Sequence, residues 1–150
     1  MKLIPAFAAL LIAVAATASA QPPTSSVKPL PNDALFQQLG GKPGLAKLSD
    51  DFVERLWVDP RIGSFFKESN KKHLKTQLAD QFCEVSGGPC RLDGPDMKTA
   101  HEAMTIGKGD FNALVEVLQA AMDAQGIPFT TQNRLLAQLA PMHRDIINQQ

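Results

Sequence analysis

One histidine carries most of the chemistry this sequence offers. His101 shares a stripe with Met97, Ala100 and Met104, at the three- and four-residue spacing that gathers side chains on one inward helix face. An imidazole on an apolar stripe has two uses. It can be a core side chain whose ring nitrogens find backbone partners. It can also be an axial ligand that a short, fixed helix presents to a metal or to haem iron. A second polar set lies upstream, where His73, Gln77 and Gln81 recur at four-residue spacing beside the apolar stripe Leu74, Leu78, Phe82. The lysines around it, Lys67, Lys71, Lys72 and Lys75, form either a solvated face or an anion contact.

Cys83 and Cys90 are the third chemical pair. They flank Ser86-Gly87-Gly88-Pro89 and can close a short loop as a disulfide. Metal ligation is the weaker use, because a structural zinc site takes about four ligands and no matching cluster accompanies these two. A Cys-x-x-Cys-His motif is absent, so covalent haem attachment of that type is not expected.

The elements that must position these groups read as helices and turns, and the fold class is all-α. Asn32 or Asp33 can cap a short helix bearing Leu35, Phe36 and Leu39, which Gly40-Gly41 ends. Pro43 suits the first turn of a second helix, with Leu45, Leu48, Phe52, Val53, Leu56 and Trp57 on its buried side. Asp59-Pro60 stops it, since a residue before proline leaves the α region. At the next corner Phe65 and Phe66 are expected to face different ways, one to the core and one elsewhere. Ser69 or Asn70 caps the helix of His73, and Gly87-Gly88-Pro89 terminates it. After the His101 helix, residues 108–125 carry the strongest helical period: Phe111, Leu114, Val115, Leu118 and Met122. Gly126 and Pro128 close that helix, Thr130 or Thr131 caps a last one, and Pro141 should kink it.

The amino-terminal residues predict a secreted protein. Lys2 precedes an apolar run, and Ala18-Ser19-Ala20 offers signal peptidase its small-x-small site, giving a signal peptide over residues 1–20. The apolar run is shorter than the ~18 residues of a spanning helix, so no membrane attachment is expected after cleavage. Residues 21–33 read as a Pro-rich linker and residues 34–150 as one domain. Fifteen basic residues balance fifteen acidic ones, which gives no electrostatic case for a nucleic-acid partner.

Taken in order, Leu39-Gly40-Gly41, Asp51-Phe52 with Arg55, Asp59-Pro60 with Phe65-Phe66, Gly87-Gly88-Pro89, Asp93-Gly94-Pro95-Asp96-Met97, Ala100-His101 with Ile106, and Asp110-Phe111 resemble the truncated haemoglobins, most closely group I. The resemblance runs from Ala34 to Ile147. It implies a two-over-two helical sandwich around a b-type haem. It makes His101 the proximal iron ligand and Phe66 the phenylalanine against the haem face. Val53, Leu74, Gln77, Leu78 and Phe82 then lie on the distal side, and Met97, Ile106 and Phe111 complete the cofactor-binding set. The Cys83–Cys90 bridge would clamp the distal helix to the loop before the proximal one, an addition to the family pattern that suits a periplasmic protein.

The chain departs from the family where many group I members resemble one another in a distal tyrosine. Val53 matches that position, and the sequence contains no tyrosine. A missing donor to a partly negative gas ligand forfeits roughly 1.5–3 kcal/mol, about one to two decades in release rate. The expectation is a secreted, periplasmic protein that binds diatomic gases, holding dioxygen weakly, with nitric oxide and carbon monoxide less affected. Gln77 either donates to the ligand or stays solvated at the pocket mouth. His73 either meets a propionate or approaches the iron, and His143 reads as a surface residue. Two other functions fit the sequence: a haem redox or nitric oxide-detoxifying protein drawing on an unknown electron donor, and a cofactor-free helical binding module. Peroxidase-like chemistry wants a distal acid–base group that Val53, Leu74 and Leu78 do not supply.

Overall fold

The computed structural model describes residues 32–149, and every regular element among them is helical. The expected signal peptide and all of the expected linker before Asn32 lie outside the described residues. Asn32 and Asp33 form a turn that leads directly into α1 (Ala34–Gln38). Asp33 holds the cap position without a side-chain capping bond; its carbonyl accepts from Gln37 N at 3.0 Å.

Gly40, at φ 83°, turns the chain into α2 (Gly41–Val58), with Pro43 in the first turn. Asp59 ends α2 in extended backbone, and a 3-10 turn, Gly63–Phe66, follows. Asn70 rather than Ser69 caps α3 (Lys71–Val85), its side chain accepting from His73 N at 2.9 Å. A loop then leads to α4 (Met97–His101), followed by α5 (Lys108–Ala124) and α6 (Phe129–Leu139). The cap of α6 is Pro128, not a threonine. Thr131 is buried instead and its hydroxyl lies 3.4 Å from Gln38 Oε1. Proline at the cap is already set near the right φ and needs no amide partner there. Pro141 does more than kink the final helix: it ends α6 in a 3-10 turn, Ala140–Met142, and α7 (His143–Ile146) sets off afresh.

Two helix pairs make the body. α2 packs on α3 and crosses α5, while α5 and α6 pair below, giving the two-over-two sandwich. Leu45, Leu48, Phe52 and Leu56 of α2 meet Phe82 of α3, Leu118 and Met122 of α5, and Leu135 of α6 in one core. All eight are essentially inaccessible to solvent; burying each such side chain contributes about 1.5–3 kcal/mol.

On the outer face α2 and α3 are joined by charge. Lys71 Nζ meets Glu54 Oε2 at 2.8 Å, and Lys75 Nζ meets Asp50 Oδ1 at 2.5 Å and Glu54 Oε1 at 2.6 Å. Lys71, followed by Lys75, holds the Glu54 carboxyl down to about 2, and Asp50 with Glu54 pushes the Lys75 ammonium up. Lys71 also lies 4.9 Å from the Trp57 ring centre. Two of the lysines read as a possible anion contact are therefore committed to holding α3 on α2. Sequence spacing along α3 could not reveal partners on another helix.

The turn after α3 is built on glycine. Gly87 adopts φ 86°, and a Cβ there would lie 2.1 Å from the Asn32 carbonyl oxygen. A Cβ on Gly88 would sit 2.6 Å from Cys83 Sγ and from the Phe36 ring. Only bare backbone lets this turn close against α1.

Candidate functional site

Between α3 on one side and α4 and α5 on the other lies a cavity of about 500 Å³. That volume is within the range that takes a cofactor-sized molecule. Its wall is largely phenylalanine, leucine and methionine. The polar side chains on it are Ser69, His73, Gln77, Gln81, Asp93 and His101, and among the described residues no lysine or arginine lines it.

His101 reaches this cavity because of how α4 begins. Asp96 caps the helix, its Oδ1 accepting from Thr99 N at 2.8 Å, and that amide holds the carboxyl below its ordinary range. One turn later His101 Nδ1 lies 2.7 Å from the Met97 carbonyl oxygen. A carbonyl can only accept, so Nδ1 is the donor, and in the neutral ring Nε2 then carries the lone pair, the arrangement of a ligating histidine. Both readings of His101 are thus present in one side chain: a backbone partner for one nitrogen, an available donor atom at the other.

No group of three or more His, Cys, Asp or Glu side chains suited to a metal ion occurs among the described residues. A bare ion would find no such cluster around His101. Haem asks less of the protein, because the macrocycle brings its own four equatorial nitrogens and needs one axial side chain. A large apolar slot with one correctly protonated histidine fits that group.

The structure brings together Phe66, Leu74, Gln77, Leu78, Phe82, Met97, His101 and Phe111 on the cavity wall. Two of the expected positions fall elsewhere. Val53 is fully buried and is not on the wall, which Phe52 and Leu56 of the same helix do line. Ile106 borders a smaller chamber of about 80 Å³ beside His101, together with Ile62 and Phe111. Phe65 and Phe66 do not part ways at the corner, and both line the cavity. In a 3-10 turn, consecutive side chains lie only about a third of a turn apart, so a wide slot can touch both.

The sequence reading missed Phe52 and Leu56, Leu114 and Leu118 of α5, and Met142 and Ile146 near the end of the chain. The first four were visible as core positions at helical spacing, with no sign that their tips were exposed to a slot. Ile146 was visible as an apolar position of the last helix, while Met142 had no local signal, since it follows the Pro141 break.

The polar groups of α3 on this wall are His73, Gln77 and Gln81. Gln77 Oε1 lies beside Gly94 of the loop before α4. Gln81 Nε2 donates to Met142 Sδ at 3.2 Å and lies 3.7 Å from Met97 Sδ, tying three elements on the cavity wall. His73 is exposed at the mouth. The Cys83–Cys90 disulfide is formed and buried, with Cα atoms 5.7 Å apart. Beside it Glu84 accepts from Leu92 N at 3.1 Å, so the loop between α3 and α4 is anchored covalently and by its backbone.

Residues 34–148 match the sequence profile of the bacterial-like globins. A group 1 truncated hemoglobin of Synechocystis sp. is 32% identical over 129 residues, covering 77% of this chain and 98% of that one. Another, from Mycolicibacterium paratuberculosis, is 27% identical over 113 residues, covering 75% and 83%. Among solved structures, the truncated hemoglobin of Tetrahymena pyriformis in its Fe(III) form superposes with a TM-score of 0.74 at 24% identity, over 77% of this chain and 98% of that one. The 2/2 hemoglobin of Synechococcus sp. PCC 7002, solved in the cyanomet state with covalently attached heme, gives 0.72 at 20% identity over the same shares. These superpositions show the fold. With a profile match across the whole described domain, the chain belongs to the bacterial-like globins, in the group 1 truncated hemoglobin family, whose members bind haem and diatomic gases.

Proposed function

We propose that this globin holds a b-type haem in the 500 Å³ cavity through His101 Nε2 and binds a diatomic gas weakly on the opposite, apolar side. The observation that carries the reading is His101 itself: its Nδ1 is committed to the Met97 carbonyl, and its ring faces a slot walled mainly by hydrocarbon and thioether. The iron would supply the reversible site for the gas; the protein supplies one axial nitrogen and a dry surround. Phe66 and Phe111 contribute flat apolar surface to the slot, and Met97, Leu74, Leu78 and Phe82 fill in around it. Ser69 and His73 are the polar groups at one end of the mouth where acidic edge groups could meet water and hydrogen bonds.

The apolar character of the distal wall supports weak retention of dioxygen. Leu74 and Leu78 have no hydrogen to donate, Val53 is not on the wall, and the Gln81 amide is engaged with Met142 Sδ, which leaves Gln77 as the one glutamine amide of α3 that could reach a ligand. The amino-terminal pattern, Lys2, an apolar run and Ala18-Ser19-Ala20, supports export to the periplasm, and the disulfide is compatible with an oxidising compartment.

A visible spectrum of haem-loaded protein tests the core of this reading. A Soret band that shifts when carbon monoxide is added to the reduced protein is expected. His101→Gly should lose the native band and regain it with added imidazole. A protein that takes up no haem, or a His101→Gly variant with the wild-type spectrum, overturns it. Flash photolysis then reads gas retention, and fast dioxygen release is expected.

A further inference from the structure

The helix that carries His101 is not held by burial. None of its five residues is buried, so packing in the core does not by itself fix where it lies. Its amino end has the Asp96 cap. Its other end is held by a residue from the far end of the domain. α4 packs on α7, the segment that starts anew after the Pro141 break. Just beyond α7, Asn148 uses its whole amide group on the backbone that follows His101.

The bonds are specific. Asn148 Nδ2 donates to the His101 carbonyl at 3.0 Å and also to the Met104 carbonyl. Asn148 Oδ1 accepts from Ile106 N at 2.8 Å. The Asn148 and Gln149 backbone amides both donate to the Ile106 carbonyl, at 3.1 and 3.0 Å. One side chain thus spans the loop from the last residue of α4 to Ile106, and the next helix is fixed separately by Asp110 Oδ2 accepting from Gly107 N at 2.9 Å. Asn148 is itself exposed, so replacing it removes hydrogen bonds and little buried surface.

We infer that Asn148 is a positioning residue for His101, setting the distance and tilt at which the imidazole meets the haem iron. The ring and its Met97 partner both belong to α4, so a shift of that helix carries the ligand and its hydrogen bond together. Groups that orient an axial ligand without touching the metal tune its bond strength and retention. This inference rests on the haem reading above.

Two variants of the full chain separate its parts. Asn148→Asp keeps an acceptor for Ile106 N and loses both donations to His101 and Met104; Asn148→Ala loses all three side-chain bonds. In haem-loaded protein with unchanged helix content, the ferrous iron–histidine stretching band in resonance Raman should move or broaden in both. Haem transfer to excess apomyoglobin should be about tenfold faster. A band and transfer rate unchanged in both variants overturn the inference, even if the melting temperature falls. A cofactor-free readout stands beside these. Without haem, the Ile106 amide should be protected from hydrogen exchange in the wild type and Asn148→Asp, and released in Asn148→Ala. Free exchange of Ile106 in the wild type overturns the clasp directly, even where a variant does not fold. Should the wild type bind no haem, the functional reading fails while the exchange measurement still judges Asn148.

Discussion

At the scale of single residues, the cavity sets a histidine of α4 against a facing helix whose leucines alternate with glutamines. His101 spends one nitrogen on the Met97 carbonyl and keeps the other free. Leu78, on the α3 side, has nothing to give a partly negative ligand. Leu78→Gln should therefore place an amide donor in the slot and slow dioxygen release by about one to two decades, the kinetic equivalent of a hydrogen bond of roughly 1.5–3 kcal/mol to a charged group. Stopped-flow displacement by carbon monoxide reads this directly, and an unchanged rate would remove the distal wall from the explanation. The histidine was legible from its stripe because ligand helices advertise their period. Val53 was not, because whether a residue of α2 lines the cavity depends on how that helix is turned, which a sequence position does not carry. Asn148 gave no signal at all; its partners are 42 to 47 residues away.

At the scale of elements, α4 is a short helix held by its ends. The Asp96 carboxyl is depressed mainly by the Thr99 amide it accepts from, so its charged form is favoured in the folded state. A depressed carboxylate contributes stability that is present above its unfolded value, near ~4, and is lost as pH falls through the lower folded value. Wild-type protein should keep its Soret band through the ordinary carboxylate range as far as this cap is concerned. Asp96→Ala should lose haem at higher pH than wild type in an acid titration, while Asp96→Asn, which retains an acceptor oxygen, should fall between them. Equal titrations of wild type and Asp96→Ala would show that the cap does not hold the ligand helix. The helix ends themselves were readable, because Gly40, Asp59-Pro60, Gly87 and Gly126 impose backbone geometry locally. The cap of α6 was misread, since Thr131 answers to a partner on α1 rather than to its own helix.

At the scale of the whole molecule, two helix pairs leave a slot whose opposite walls would be joined only through loops, were it not for one covalent link. Cys83 follows Phe82 of the α3 wall, and Cys90 precedes the rim residues that run into α4. Closing so short a loop restricts the unfolded chain by about 2–3 kcal/mol. For a domain of this size, reduction or a Cys83→Ser/Cys90→Ser pair should lower Tm by roughly 10 °C and hasten haem loss, as followed by calorimetry and absorbance. A Tm unmoved by reduction would leave the bridge without a structural role. The cysteine spacing across the Gly87-Gly88-Pro89 turn pointed to this bond, but not to how tightly the turn packs. Gly88 fits against the Cys83 sulfur and the Phe36 ring with no room for a methyl group. The bridge and that glycine are therefore one heritable unit. Two cysteines grafted at these places onto an unbridged relative with a bulkier residue in the turn would not close, whereas the three together are a portable staple for this fold.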